Sequence, residues 1–256
     1  MKITWLKLLV MFLMSFLISS CSTLDLSTKG GLPSGEKIIE KNIKATGGRR
    51  AHESVRNNKI DVTVNIVPAG MVIKATSYKE RPNKDHSTAD LGAMGKRESG
   101  SDGKIAWEIN PLSGARLLEG EQLALKLLEN SFDGPDAWKK IYKSVTNEGV
   151  EDVGGKECYK VLFIPKEGSP RITYYDKETF LANKIAYEAY TDQGTSQAEI
   201  HFLDYEKMGK ILTPQKIQVY LNGQLYEDVT IDNVETNIEM PEGTFDLPEE
   251  IKALLK

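Results

Sequence analysis

Apolar residues return at every second position over much of this chain, and that alternation restricts its fold more than any other feature. Ile60, Val62, Val64 and Ile66 are separated by Asp61, Thr63 and Asn65. A two-residue period sends side chains to opposite faces of an extended strand, so such a run has one face for a core and one for water. The pattern recurs at Met71, Ile73 and Ala75, at Ile105, Trp107 and Ile109, at Tyr159, Val161 and Phe163, and at Ile172 and Tyr174. Further runs are Ile185, Tyr187 and Ala189, then Ile200 and Phe202, then Ile217, Val219 and Leu221, and finally Val229 with Ile231. Between them stand turn residues. Asn222-Gly223 is the strongest hairpin signal, because both residues tolerate the positive φ of a type I′ turn. Asp102-Gly103, Gly154-Gly155 and Asp192-Gln193-Gly194 read the same way. Short turns join only antiparallel neighbours, so the spacing predicts a meander.

Few helices interrupt it. Ser34 is placed to cap a helix over 35–46 that carries Ile39 and Ile43 on one face and ends at Gly47-Gly48, with a second helical turn over 50–56. Leu123, Leu127 and Leu128 mark a helical stretch over 118–130. Asp133-Gly134-Pro135 opens another that presents Trp138, Ile141 and Tyr142. The reading is therefore mainly β (α+β): one large curved antiparallel sheet with helices too short to tile its concave face. Such a sheet either closes or encloses a cavity. No composition break divides it, so residues 34–256 read as one domain.

Motifs of catalysis are not found. His52, His86 and His201 stand apart without ligand spacing, and there is no His-Glu-x-x-His, paired-Cys or calcium-loop pattern. No Gly-x-Ser-x-Gly elbow occurs. Gly47-Gly48 lacks the preceding strand and following Lys of a phosphate loop, and reads as a helix stop. The expectation is a binding protein, not an enzyme, with no metal and no cofactor. Acidic residues number 37 against 33 basic ones, and no basic stripe is present, so nucleic acid is not an expected partner.

The first twenty residues form a leader: Lys2 and Lys7, an apolar stretch from Leu8 to Ile18, then Ile18-Ser19-Ser20-Cys21. Its apolar stretch is shorter than the roughly 20 residues a membrane-spanning helix needs. A Cys directly after this triplet resembles the bacterial lipoprotein signal. That resemblance implies removal of residues 1–20, acylation of Cys21 (palmitate among the chains) and a flexible tether over 21–33. Ser22 in place of Asp favours the outer membrane, at its periplasmic face. With Cys21 acylated, Cys158 stands alone and reads as a packed thiol.

Several segments resemble the LolA/LolB-like family of lipoprotein carriers and receptors. They are Ala45-Thr46-Gly47-Gly48, Glu80-Arg81-Pro82-Asn83-Lys84, the stretch from Asp102 to Pro111, Phe132-Asp133-Gly134-Pro135, and Tyr174-Tyr175-Asp176-Lys177-Glu178-Thr179. The resemblance implies an unclosed β-barrel with helices over its concave face and an apolar cavity for acyl chains between. It also implies that Arg81 latches the helical lid, as the arginine of the Arg-Pro segment does in the soluble carriers. Asp85-His86-Ser87 departs from the aromatic or apolar residues usual there. The cavity candidates are Val62, Val64, Ile73, Trp107 and Trp138. The function expected is a membrane-anchored binder of lipids or lipoproteins acting in their transport or sorting in the cell envelope. Its partners would be acyl chains, the membrane through its own lipid, and an envelope protein. The alternatives are an envelope-stress sensor or scaffold docking a protein and, behind it, an envelope hydrolase.

Overall fold

The computed structural model describes residues 31–120, 122–123, 126, 134–166, 168–191 and 194–256. The leader, Cys21, most of the tether, Leu127, Leu128, Asp133 and the Asp192-Gln193 turn lie outside the described residues.

Thirteen strands lie in one antiparallel sheet made of two meanders. The first holds β1 (Asn57–Ile66), β2 (Met71–Glu80), β3 (Lys84–Asp90), β4 (Lys96–Ser101), β5 (Ala106–Asn110) and β6 (Gly114–Leu118). The second holds β7 (Tyr142–Val153), β8 (Lys156–Pro165), β9 (Arg171–Asp176), β10 (Ala182–Thr191), β11 (Gly194–Met208), β12 (Ile211–Leu221) and β13 (Gln224–Thr236). Pairing of β1 with β13 fuses the meanders, so that β6 and β7 become the two edges. These edges are not paired with each other. The barrel is unclosed, and residues 119–141 connect its two lips.

Turn chemistry is as the sequence predicts. Asn222 and Gly223 take φ of 49° and 78°, both positive as a type I′ hairpin requires. Asp102 accepts from the amides of Lys104 and Ile105 and fixes the β4–β5 turn.

The helix α1 (Gly35–Ala45) begins where Ser34 accepts a bond from the Lys37 amide. Its Ile38, Ile39 and Ile43 are buried against Val145 of β7, Val161 and Phe163 of β8 and Tyr175 of β9. Burying each isoleucine is worth about 1.5–3 kcal/mol, which outweighs the weak propensity of so short a helix. Gly35 is required at its start, since a Cβ there would stand 2.8 Å from Val145 Cγ1. The shorter helices include α2 (Arg49–Ser54), α3 (Ala137–Ile141) and α4 (Glu249–Leu254).

One reading is corrected. The helix expected from Pro135 through Tyr142 starts at Ala137 and stops at Ile141, because Tyr142 enters β7 and packs edge-on against Phe163 at 4.9 Å. Strands β3, β4, β6 and most of β7 carry no apolar alternation, and their pairing is imposed by neighbouring strands.

Gly100 lies where β4 crosses the Trp107 ring. A Cβ there would sit 2.8 Å from both the Asp85 carbonyl oxygen and Trp107 Cζ2. Gly100→Ala therefore destabilises the protein by about 1–3 kcal/mol in urea unfolding. An unchanged midpoint would show that β4 and β5 are not pressed together in this way.

Candidate functional site

Directly opposed residues of an antiparallel ladder share a face, so register alone shows what lines the side of the sheet that α1 covers. One row crosses eight strands: Val161, Thr173, Ile185, Ile200, Val219, Glu227, Ile66 and Met71. A second row holds Phe202, Ile217, Val229, Val64 and Ile73. A third runs Ile231, Val62, Ala75, Ala89 and Arg97. From β8 to β2 these rows are apolar apart from Thr173 and Glu227; Arg171, opposite Phe163, and Ser77 at the end of β2 are polar residues of the same face outside them.

Its two flanks are packed. One buried cluster lies under α1, and another joins Ile66, Ile73 and Leu91. The middle is not: Ile185, Ile200, Phe202, Ile217, Val219, Val229 and Val62 are all only half-buried, while Val64 packs on the edge of the second cluster. Apolar side chains on one face, flanked by packed clusters yet only half-buried, form an apolar trough of the kind that suits an apolar ligand.

From the end of β2 onward the inner face turns polar. Ser77, Ser87, Ser99, Glu108 and Arg116 face one another across successive strands. Arg97 Nη2 and Arg116 Nε donate to the two oxygens of Glu108 at 3.1 and 2.7 Å, and Arg116 Nη1 donates to Gln122 Oε1 at 2.7 Å. Burial alone would raise the Glu108 carboxyl, but the guanidiniums of Arg116 and Arg97 hold it below its ordinary value. Lys126 Nζ lies 2.8 Å from Asp85, whose side chain is 1% exposed. Gln122 and Lys126 both belong to the segment joining β6 to β7. The lip-to-lip connection is thus fastened to the polar half of the inner face by an ion pair and a charged hydrogen bond.

At the other end of that segment Arg49 of α2 forks onto Asp136, with Nη1 to Oδ2 at 2.6 Å, and also reaches Glu40 of α1. Hydrogen bonds from Arg49 and then Lys139 bring the Asp136 carboxyl down to about 2. These groups are well exposed, so the pairing orients α1, α2 and α3 more than it stabilises them. Arg81 lies nearby. Its Nη2 donates to the His52 carbonyl of α2 at 2.9 Å, and a Cβ on Gly134 would meet its guanidinium at 3.5 Å. The arginine is therefore wedged between α2 and the returning connection.

The predicted residues separate. Val62, Val64 and Ile73 lie together on the inner face. Trp138 packs on the α1 cluster at the far flank. Trp107 pairs with Gly100 and Leu117, a register that puts it on the opposite face beside His86, with ring centroids 5.7 Å apart. It does not line the trough, and the alternation around it could not show which face was inner. Cys21 lies outside the described residues. Sequence reading missed Glu108, Arg116, Lys126 and Glu227. The one available signal was Asp85-His86-Ser87 breaking an apolar expectation. Cys158 is fully buried and accepts from Asn183 at 3.3 Å, and burial pushes its thiol up, as suits a packed cysteine. Among the described residues no group of His, Cys, Asp and Glu could hold a metal.

No protein-family model and no curated protein matches the chain. Solved structures do match its fold. A DUF1329 family protein from Desulfovibrio piger superposes with a TM-score of 0.57 at 16% identity, covering 83% of this chain and 97% of that one. The LolA superfamily protein NE2245 from Nitrosomonas europaea gives 0.57 at 10% identity, covering 84% and 99%. A putative outer membrane lipoprotein-sorting protein domain from Vibrio parahaemolyticus gives 0.54 at 13%, covering 85% and 99%. The fold is LolA-like.

Removing one partner of a buried ion pair forfeits a charge-assisted hydrogen bond, worth about 1.5–3 kcal/mol. Lys126→Met should lower stability by an amount of that order and speed hydrogen exchange across the segment joining β6 to β7. Exchange unchanged from the parent would mean that the Asp85 pair does not fasten the connection.

Proposed function

We propose that this protein is a membrane-anchored lipid- or lipoprotein-binding protein of the bacterial cell envelope, which holds acyl chains in the inner trough during their transport or sorting. The observation that carries the reading is the half-buried apolar rows between two packed flanks. Each methylene taken from water contributes about 0.8 kcal/mol, so a long apolar wall is what an acyl carrier needs, and no reactive group is required. The LolA-like fold supports the same reading. Val62, Val64 and Ile73 belong to the wall, and Trp138 flanks it.

The domain layout follows the same proposal: a signal peptide over 1–20, an acylated Cys21, a tether over 21–33 and the binding domain over 34–256, facing the periplasm from the outer membrane. Several acyl chains on one cysteine hold a protein firmly where a single chain would not. A protein so held receives cargo at the membrane and does not ferry it. Arg81 acts as the latch, tying α2 to the connection that crosses the lips.

Two experiments test this. Native mass spectrometry of gently extracted protein should show bound lipid, and a fluorescent fatty-acyl probe should bind. Val64→Asp, which puts a charge into the wall, should weaken the probe at least about tenfold. Val72→Asp, at a side chain 67% exposed on the other face, should not. In the same assay Arg81→Leu should speed probe release. Empty preparations together with no probe binding would defeat the proposal. Separately, Cys21→Ala should move the protein from the membrane fraction to the soluble one; continued membrane residence would refute the lipid anchor.

A further inference from the structure

Glu227 is out of place. It occupies the inner face of β13 between Val219 of β12 and Ile66 of β1, within a row that is otherwise apolar except for Thr173. Its side chain makes no hydrogen bond and no ion pair among the described residues. The neighbouring ladder shows how it reaches this face: a register shift between Val219 and Tyr220 leaves Tyr226 as an extra residue, so Glu227 opposes Val219. The charged group that acts on it is Arg97, from the polar half of the inner face, and Glu227 in turn raises Tyr226 on its own strand. Burial pushes the Glu227 carboxyl up, and Arg97 offsets this only in part. A carboxylate in an apolar wall without a donor of its own costs stability. It is relieved by any ligand that brings a donor to it.

We propose that Glu227 sets the ligand class of the trough: an acyl chain whose polar end carries N–H donors, in preference to a free fatty acid. The inference rests on the acyl-binding reading given above. Arg97, in the row of Val62 on the same face, is engaged by Glu108. Glu227 thus stands as an acceptor within the apolar wall. An amide or a phosphoethanolamine head satisfies it by giving N–H to Glu227. A fatty-acid carboxylate has no donor to give and is repelled by Glu227. Two sources share the favoured chemistry: an aminophospholipid and the acylated, amide-bearing end of a lipoprotein.

The test uses the full mature chain made soluble by Cys21→Ala. Displacement of anilinonaphthalene sulfonate is followed with dodecanoate, lysophosphatidylethanolamine and N-dodecanoyl glycinamide at neutral pH. Both donor-bearing ligands should bind at least about tenfold tighter than dodecanoate, and Glu227→Gln should bring dodecanoate to within about threefold of them. Whichever donor ligand binds better identifies the source, and either order supports the proposal. Equal binding of all three by the parent, or a preference unchanged in Glu227→Gln, would overturn it while leaving acyl binding intact. Binding of none would defeat the acyl-binding reading and this inference with it. Folding of the variant is checked by melting. A carboxyl whose pKa is raised in the native state stabilises least at high pH. Glu227→Gln should therefore melt above the parent at neutral pH, with the gap closing below about pH 4.

Discussion

Pairing between β1 and β13 is the interaction on which the rest of the structure depends. Each meander alone would be a half-sheet with an exposed apolar face and two open edges. Joining Asn58 to Thr236 at one end and Ile66 to Glu227 at the other turns two halves into one curved surface. The same junction leaves β6 and β7 as lips. Every apolar row of the trough crosses this seam. Val64 meets Val229 there, and Val62 meets Ile231. The trough is thus a product of long-range pairing, and no local segment contains it.

Because strand side chains alternate, a slip of one residue at the seam would turn the whole wall outward. A bulge between Asp61 and Val62 marks how the register is held there. On one side of it Val62, Val64 and Ile66 face inward. On the other, Asp61 accepts from Thr76 Oγ1 at 2.7 Å and pairs with Lys59 at 2.9 Å, which secures the wet face. The polar half of the inner face serves a different end. Asp85, Glu108 and Arg116 give the connection between the lips fixed points of attachment, at Lys126 and Gln122. Charges within a hydrophobic enclosure are costly unless matched. The structure matches these three in place, whereas Glu227 makes no hydrogen bond or ion pair among the described residues.

Most of the fold was legible because strands with one wet face announce themselves. The runs at Ile60–Ile66, Tyr159–Phe163 and Ile217–Leu221 became β1, β8 and β12, and Asn222-Gly223 became the hairpin expected. Ser34 and the α1 isoleucines were readable for the same local reason. Strand β3, reading Lys-Asp-His-Ser-Thr-Ala-Asp, was not, since its partners and not its composition make it a strand. The site was legible in outline only. Period two groups Val62 with Val64, but it cannot say that Trp107 lies on the other side of the sheet. That distinction needs the register of four intervening strand pairs. Glu108 and Arg116 likewise sit in runs with nothing local to mark them, and they meet only because β5 and β6 are paired.

The central claim is that the inner face, across the β1–β13 seam, holds an acyl chain. Photocrosslinking with a long-chain fatty acyl probe bearing a diazirine near its methyl end, followed by peptide mapping, tests it directly. The account predicts adducts on β11, β12, β13 and β1, centred on Ile200, Val219, Val229 and Val64. Adducts confined to the opposite face, around Trp107, Leu117 or Val72, would contradict it.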